Sequence, residues 1–450
     1  MRFSLIIYTC ATLLSSSFAQ SNFDTSTYQE EAFYAKMSCK KIDTTRLLAL
    51  EDVIMMALCN NPQTAIAWQS SLYQASLVKV SESSYFPTLS ATASLSQSET
   101  TDTKTANQEN IALTISYLLY DFGKREATVE NAKQLLSAAS FTQDSTVQTV
   151  FLSALQAYYG LFNALASLEA TKEIEAASLE SLNAAKTRYN TGVATPSDTL
   201  QAQTAYSQAV LNRIRAESSV KSAQGTLSTT LGLSPDKVLS LVTPSMEPSI
   251  ELFEKNIQEL IDVGKKTRPD LMAAQAKIKA LEASVQAAKA EDMPSLSLSS
   301  TLGHTDSSLV NHNRNSSVGL YVNVPLFNGY NTKYKVQAAK EQLRIAQSEY
   351  EKLSQNASLE VYQTYQALVS EVQALKASLD LVNSAKASYE LSQGKYKAGV
   401  GTILDLLNAQ SALATAKQQR VQSIYNWYTT KASLAKSMGE LNFTTLKGQP

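Results

Sequence analysis

Eight residues recur along this chain at one constant distance. Pro62, Pro87, Leu113, Leu119, Tyr189, Gly192, Asp198 and Gly232 reappear as Pro269, Pro294, Leu320, Leu326, Tyr396, Gly399, Asp405 and Gly439, each 207 positions on (269 − 62 = 207). A constant offset leaves no net insertion between the anchors. Surface loops tolerate changes of length, whereas packed elements do not, so the two copies occupy equivalent places in one object. The unit is far longer than a solenoid repeat. The chain is therefore a duplicated half-structure.

The first residues read as a secretory signal over 1–19. Arg2 gives a positive start, residues 4–14 are mostly apolar, and Ser17-Phe18-Ala19 forms a small-x-small cleavage site before Gln20. Cys10 would leave with that segment. Cys39 and Cys59 remain; in an oxidising compartment they either pair or stand as two separate thiols, and spacing alone does not choose. After the signal no run of 18 apolar residues occurs, so no transmembrane helix is predicted. If the mature chain spans a membrane, it must do so as a closed β-barrel. The net charge of −1 argues against nucleic acid as a partner.

Each half reads as short helix, strand, strand, long helix, return helix. The first repeat is placed at 48–240, after an N-terminal extension at 20–47. Its strands lie near 86–98 and 109–120, its long helix at 123–189 and its return helix at 196–231. A linker and equatorial segment at 241–268 leads to the second repeat, 269–440, with strands near 294–304 and 316–327, a long helix at 330–396 and a return helix at 403–438. Residues 441–450 form a tail. Leu89, Ala91, Ala93 and Leu95 alternate with Thr88, Ser90, Thr92 and Ser94, and Ile111, Leu113, Ile115, Tyr117 and Leu119 answer them. The second half repeats this with Leu296, Leu298 and Leu302, then Val318, Leu320, Val322, Val324 and Leu326. Strict alternation over about ten residues marks a strand with one apolar face, long enough to cross a bilayer when tilted. The polar stretches 97–109 and 303–316 are expected to be solvated hairpin loops.

No proline lies between Pro87 and Pro196, or between Pro325 and Pro450. The stretches 123–189 and 330–396 are rich in Ala, Gln, Glu and Lys, and a helix of that length would reach roughly 100 Å. Val147, Phe151, Ala154, Tyr158, Leu161, Leu165, Leu168, Leu179, Leu182 and Tyr189 follow a four-three spacing, which Lys172, Glu175 and Lys186 interrupt. Val361, Tyr365, Leu368, Val372, Leu375, Leu379, Val382, Tyr389 and Tyr396 keep the same register. This is a heptad seam.

The turn between long and return helices carries the densest motif. Gly192 and Gly399 suit a left-handed helix end, Thr195 and Thr402 suit N-caps, and Pro196 suits the first helical position. Asp198 and Asp405 fall where the acid of a capping box sits. Capping explains these residues, and so does a second role, since several copies of an acid around an opening would form a cation-selective ring. Both readings stand together. Chemistry beyond this is sparse. His304 and His312, with Asp306, are read into one polar loop as solvated residues, and neither metal nor cofactor is expected. Phosphate-cradling loops, nucleophile elbows and Cys-x-x-Cys pairs are missing from the sequence. Four strands cannot close a barrel, and open strand edges are forbidden in lipid, so spanning requires several chains.

The duplicated order, the Tyr-x-x-Gly-Val-x-Thr tips, and the strand-to-helix junctions Leu118-Leu119-Tyr120-Asp121-Phe122-Gly123 and Val324-Pro325-Leu326-Phe327-Asn328-Gly329 resemble the TolC-like outer-membrane efflux proteins over nearly all of 48–440. The resemblance implies an α+β membrane protein: a homotrimer whose four strands per chain make a twelve-stranded transmembrane β-barrel in outer-membrane lipid, continued by a long α-helical coiled-coil barrel in the periplasm. It implies an outer-membrane channel of a tripartite efflux or type I secretion system. Such a channel passively conducts drugs or polypeptides, is not an enzyme, and works with a periplasmic adaptor and an inner-membrane pump or ABC transporter. By the resemblance Asp198, Tyr396, Asp405 and Asn408 belong to a channel gate, and Gly192, Val193, Gly399 and Val400 to tips where the adaptor docks. Gly401 departs from it, standing where the best-known member has a latch arginine, and Asn408 stands where an aspartate constricts the pore. The alternative is a periplasmic coiled-coil scaffold or adaptor without a membrane barrel.

Overall fold

The computed structural model describes residues 39, 46–100, 103–243, 256–307 and 313–442. The signal segment, most of the 20–47 extension, His312 and all but the first two residues of the 441–450 tail lie outside them. Cys39 and Cys59 are each disulfide-bonded, a point the sequence left open.

Among the described residues the order is α1 (Leu50–Asn60), α2 (Pro62–Glu82), β1 (Thr88–Thr100), β2 (Thr103–Tyr120), α3 (Lys124–Asn190), α4 (Pro196–Thr230), α5 (Ile257–Thr267), α6 (Pro269–Lys289), β3 (Ser295–Ser307), β4 (Asn313–Asn323), α7 (Asn331–Lys397) and α8 (Ile403–Ser437). The helices repeat residue for residue. Leu50 opens α1 and Ile257 opens α5, 207 later; Lys124 and Asn331 open the two long helices, and both of these have 67 residues.

Two helices were not placed by the sequence: α1 lies at the start of the first repeat, and α5 lies within the linker and equatorial segment. Each has only 11 residues, too few to be stable alone; tertiary burial holds them. Leu260 of α5 packs among Val361, Leu368 and Leu375 of α7 and Ile424, Trp427 and Leu434 of α8. The ends of these short helices are fixed by glycine. A Cβ on Gly232 would lie 2.4 Å from the Asn60 carbonyl oxygen, and one on Gly439 would lie 2.8 Å from that of Thr267. Both glycines have positive φ, which closes each return helix against the end of the short helix in its own half. An aromatic layer sits beside them. Tyr159 stacks on Tyr428 at 4.7 Å, and the Tyr158 hydroxyl donates to the Val242 carbonyl at 2.7 Å. Burial pushes the Tyr158 phenol up to about 12.

The strands form one antiparallel sheet in the order β1-β2-β3-β4. Its register sorts the faces. Ala91 pairs with Leu113 and Leu113 with Leu302; one step along, Ser90 pairs with Thr114 and Thr114 with Thr301. Directly paired residues share a face, so one face is mainly Leu, Ile, Val and Ala, with Ser300 and Ser316 among them, and the other is mainly Ser and Thr. Leu89, Ile111, Ile115, Leu302, Val318, Leu320 and Val322 are all exposed in the single chain.

The expected hairpin loops are wrong in extent. Strand pairing continues through Leu95 with Glu109, Gln97 with Asn107, and Thr305 with Asn110. Backbone pairing is indifferent to side-chain polarity, so the polar run prolongs the ladder. His304 and Asp306 consequently lie in β3 and not in a loop, with His304 opposite Ile111 and Arg314. Among the described residues no cluster of His, Cys, Asp and Glu suits a metal. At the other end β4 stops at Asn323, short of the expected 327, because Pro325 cannot donate to a ladder.

Strand passes to helix through two consecutive left-handed residues in each half, Phe122-Gly123 and Gly329-Tyr330. The long helices then run beside their return helices. Of the first seam, Val147, Phe151, Ala154, Tyr158, Leu161 and Leu182 are buried, whereas Leu165, Leu179 and Tyr189 are exposed. One chain covers only part of the seam.

Candidate functional site at the hairpin tips

The helices α3 and α4 form one hairpin, and α7 and α8 a second, and each tip is built by the same local chemistry. Thr195 accepts a hydrogen bond from the Asp198 amide at 3.4 Å while Asp198 Oδ2 accepts from the Thr195 amide at 3.0 Å. Thr402 and Asp405 repeat this reciprocal pair, with Asp405 Oδ2 also accepting from the Thr402 hydroxyl at 2.6 Å. These are capping boxes. Gly192 and Gly399 have φ of 77° and 83° and let the chain leave the long helix. Beyond them Val193 and Val400 are 64% and 79% exposed, so each tip presents an apolar knob to solvent.

Gly401 has a local reason to be glycine. Its amide donates to the Lys395 carbonyl at 3.1 Å, and a Cβ there would come within 3.0 Å of Lys395 Cβ and 3.1 Å of the Tyr396 nitrogen. The helix end is closed tightly over this position, which disfavours any larger side chain.

The expected gate residues are not all together. Tyr396 is 4% exposed and clusters with Leu182 and Ala185 of α3, Ala202 of α4, and Ile403 and Leu406 of α8. Its hydroxyl finds no hydrogen-bond partner among the described residues, so no bond joins it to Asp198. Burial raises its pKa; Arg188 lowers it and Asp198 raises it further. Asp405 and Asn408 lie away from this cluster, along an open groove of about 540 Å³ on the second hairpin.

The residue that sequence reasoning missed is Arg188. Its guanidinium lies 4.7 Å from the Tyr396 ring centroid, and its Nη1 donates to the Tyr396 carbonyl at 2.6 Å. A cation over an aromatic face and a charge-assisted bond to a helix-terminal carbonyl act on one residue. The first hairpin thereby grips the second. Gln410 adds to this grip, donating to Ser178 Oγ at 2.6 Å and the Ile174 carbonyl at 3.2 Å, and Lys397 pairs with Glu180 at 2.8 Å on the exposed side. Arg188 was detectable as a departure from the repeat, since lysine stands at the matching position 395.

The model of the outer membrane efflux protein family matches residues 53–233 and again 260–440, one match to each half and 207 apart. Among relatives, Protein CyaE of Bordetella pertussis is 28% identical, with 90% of this chain and 86% of that protein covered. The probable efflux pump outer membrane protein TtgC of Pseudomonas putida is 27% identical, with 87% and 83% covered. Among solved structures, the outer-membrane channel OprN superposes with a TM-score of 0.77 over 90% of this chain and 95% of that one, at 20% identity; CusC gives 0.78 over 90% and 96%, also at 20%. With both halves matched, the chain belongs to the outer membrane efflux protein family.

Proposed function

We propose that three copies of this chain assemble into a twelve-stranded outer-membrane barrel continued by a helical tunnel in the periplasm, and that cargo leaves the cell through it. One observation carries the reading. The four-stranded sheet has a mainly apolar face and two edges, β1 and β4, that pair with nothing further among the described residues. Unpaired edges and an exposed apolar face are untenable in lipid or in water for an isolated chain. Pooled strands satisfy both; eight from two chains fill their own interior, whereas twelve leave a lumen. A barrel-free scaffold would have no use for the Leu and Val row.

In this reading the duct is passive and contains no catalytic step. Energy enters through an inner-membrane pump or ABC transporter, and a periplasmic adaptor meets the tips at Gly192, Val193, Gly399 and Val400. Tyr396 and Asp198 belong to the closed iris; Asp405 and Asn408 face the entrance, where three copies of Asp405 attract cations. Arg188 supplies the cationic grip that position 401 lacks. Purified protein in a planar bilayer tests the whole. The expected result is a discrete conductance from a detergent-dependent oligomer; a soluble monomer with no conductance would reject it.

A further inference from the structure

The groove on the second hairpin matches a site that is filled on the first. On the first hairpin, Ala185, Arg188 and Ala202 surround Tyr396, with Asp198 close enough to act on its phenol. Moving each by 207 gives Ser392, Lys395, Ala409 and Asp405 (185 + 207 = 392), and all four line the open groove of about 540 Å³. Moving Tyr396 back by 207 gives Tyr189, which is 46% exposed at the end of α3. The chain thus displays a vacant socket and an unused plug of the same design as a contact it already makes. It cannot join its own pair, because the first hairpin already meets the second through Arg188 and Tyr396.

We propose that the groove receives Tyr189 of a second copy of this chain, with Lys395 over its ring and Asp405 beside its hydroxyl. The proposal rests on the duct reading above and adds which residues close the ring of hairpins between subunits. The cap engages Asp405 Oδ2, which leaves Oδ1 for the incoming phenol. The two tyrosine contacts then alternate around the ring, one within each chain and one between chains. They are not equal. Lysine offers a hydrated point charge in place of the planar guanidinium, and Ser392 replaces the apolar Ala185. The contact between chains is the weaker and releases first when the tips part.

The test mixes two single variants, Tyr189→Cys and Lys395→Cys, co-expressed as full-length chains and treated with a short bifunctional thiol reagent. Cys39 and Cys59 are disulfide-bonded and do not compete. A covalent dimer from the mixed preparation alone is the expected result. Trimers of verified mass that give no dimer, or a dimer from Tyr189→Cys chains alone, overturn the socket while the duct stands. If no preparation is oligomeric and none conducts, the duct reading and the socket both fall. Conductance gives a second measurement that does not depend on the reagent. Tyr189→Ala should raise the open-to-closed ratio roughly fivefold per subunit boundary, and Lys395→Arg should lower it; no change in either variant refutes the proposal.

Discussion

At the first strand-to-helix junction, Asp121 accepts from the Arg125 amide at 2.9 Å and from its Nε at 3.1 Å. Arg125 then donates to the carbonyls of Leu118 at 2.7 Å and Leu119 at 3.3 Å, and lies over the Tyr85 ring at 4.7 Å. The matching positions of the second half hold Asn328, Thr332 and Asp292 (121 + 207 = 328). There Asp292 accepts from Asn328 at 2.8 Å and from Thr332 at 2.7 Å. The backbone makes the same left-handed turn in both halves, yet one is held by an ion pair with a cation–π cap and the other by a hydrogen-bonded polar triad. Duplication preserved the geometry while the partners changed as a set. Single residues at such positions are meaningful only with their neighbours.

The junctions should therefore respond unequally to damage. Asp121 and Arg125 side chains are only 12% and 11% exposed, so Arg125→Ala leaves a shielded carboxylate with only the backbone amide of residue 125 and strips the Leu118 and Leu119 carbonyls of their guanidinium donor. A loss of about 2–3 kcal/mol is expected, against about 1 kcal/mol for Thr332→Val. Denaturant titration of the purified oligomer reads both, and equal losses would erase the distinction. The triple change Tyr85→Asp, Asp121→Asn, Arg125→Thr installs the second half's chemistry in the first. It should recover most of the stability that Arg125→Ala removes; if it is no better than the single change, the partners did not change as a set.

The tips repeat the contrast. Tyr396 is buried and gripped by Arg188, whereas Tyr189, its equivalent, is exposed. Within one chain Arg188 is the stronger hold, so Arg188→Ala should raise the open probability of single channels by about tenfold, corresponding to the loss of about 1–2 kcal/mol in a cation–π and charge-assisted contact. Gln410→Ala, which removes two bonds between the same hairpins, should do less. The reverse order in single-channel recordings would move the main hold from Arg188 to Gln410.

Much of this was legible in the sequence because the repeat constrains so much. Proline positions, alternation and four-three spacing locate strands and long helices wherever local pattern and tertiary role agree. What was illegible depended on contacts remote in the chain. Helices α1 and α5 exist through burial against α3, α7 and α8, and eleven residues carry too little periodicity to announce it. Strand lengths misled because Ser, Thr and Asn read as loop although the neighbouring strand pairs their backbones. Tyr396 stood out as a repeated aromatic, but the groups that grip it, Arg188, Leu182 and Ala202, lie about 200 residues away on another hairpin. Asp198 and Asp405 carry identical local signals, and only the fold separates the acid near a buried tyrosine from the acid in an open groove.

Alkaline pH offers a finer probe of the gripped tip. Burial, reinforced by Asp198 and opposed by Arg188, raises the Tyr396 phenol above its ordinary 10.0. An acid whose folded value is raised contributes its stabilisation fully below the unfolded value, and that contribution fades as pH climbs through the folded one. The closed tip should hold up to pH 10.0 and loosen above it. Tyr396→Phe cannot ionise and should lack the alkaline rise in open probability. If the rise persists in that variant, other tyrosines govern it.

The smallest effect separates the two acids. Asp198 and Asp405 cap their helices in the same way, so Ala at either position should cost about 1 kcal/mol or less of local helix stability. Asp405 alone lines the open groove with Asn408, while Asp198 sits by the Tyr396 cluster. On the function proposed above, only the former makes a ring that multivalent cations meet on entry to the trimer, and with Asn408 a single turn further that ring carries one carboxylate per chain instead of two. Block by a multivalent cation should weaken several-fold in Asp405→Ala and stay unchanged in Asp198→Ala, and Asn408→Asp should strengthen it. Equal block in the two alanine variants would reduce Asp405 to a helix cap and leave the difference between the halves confined to the tyrosines.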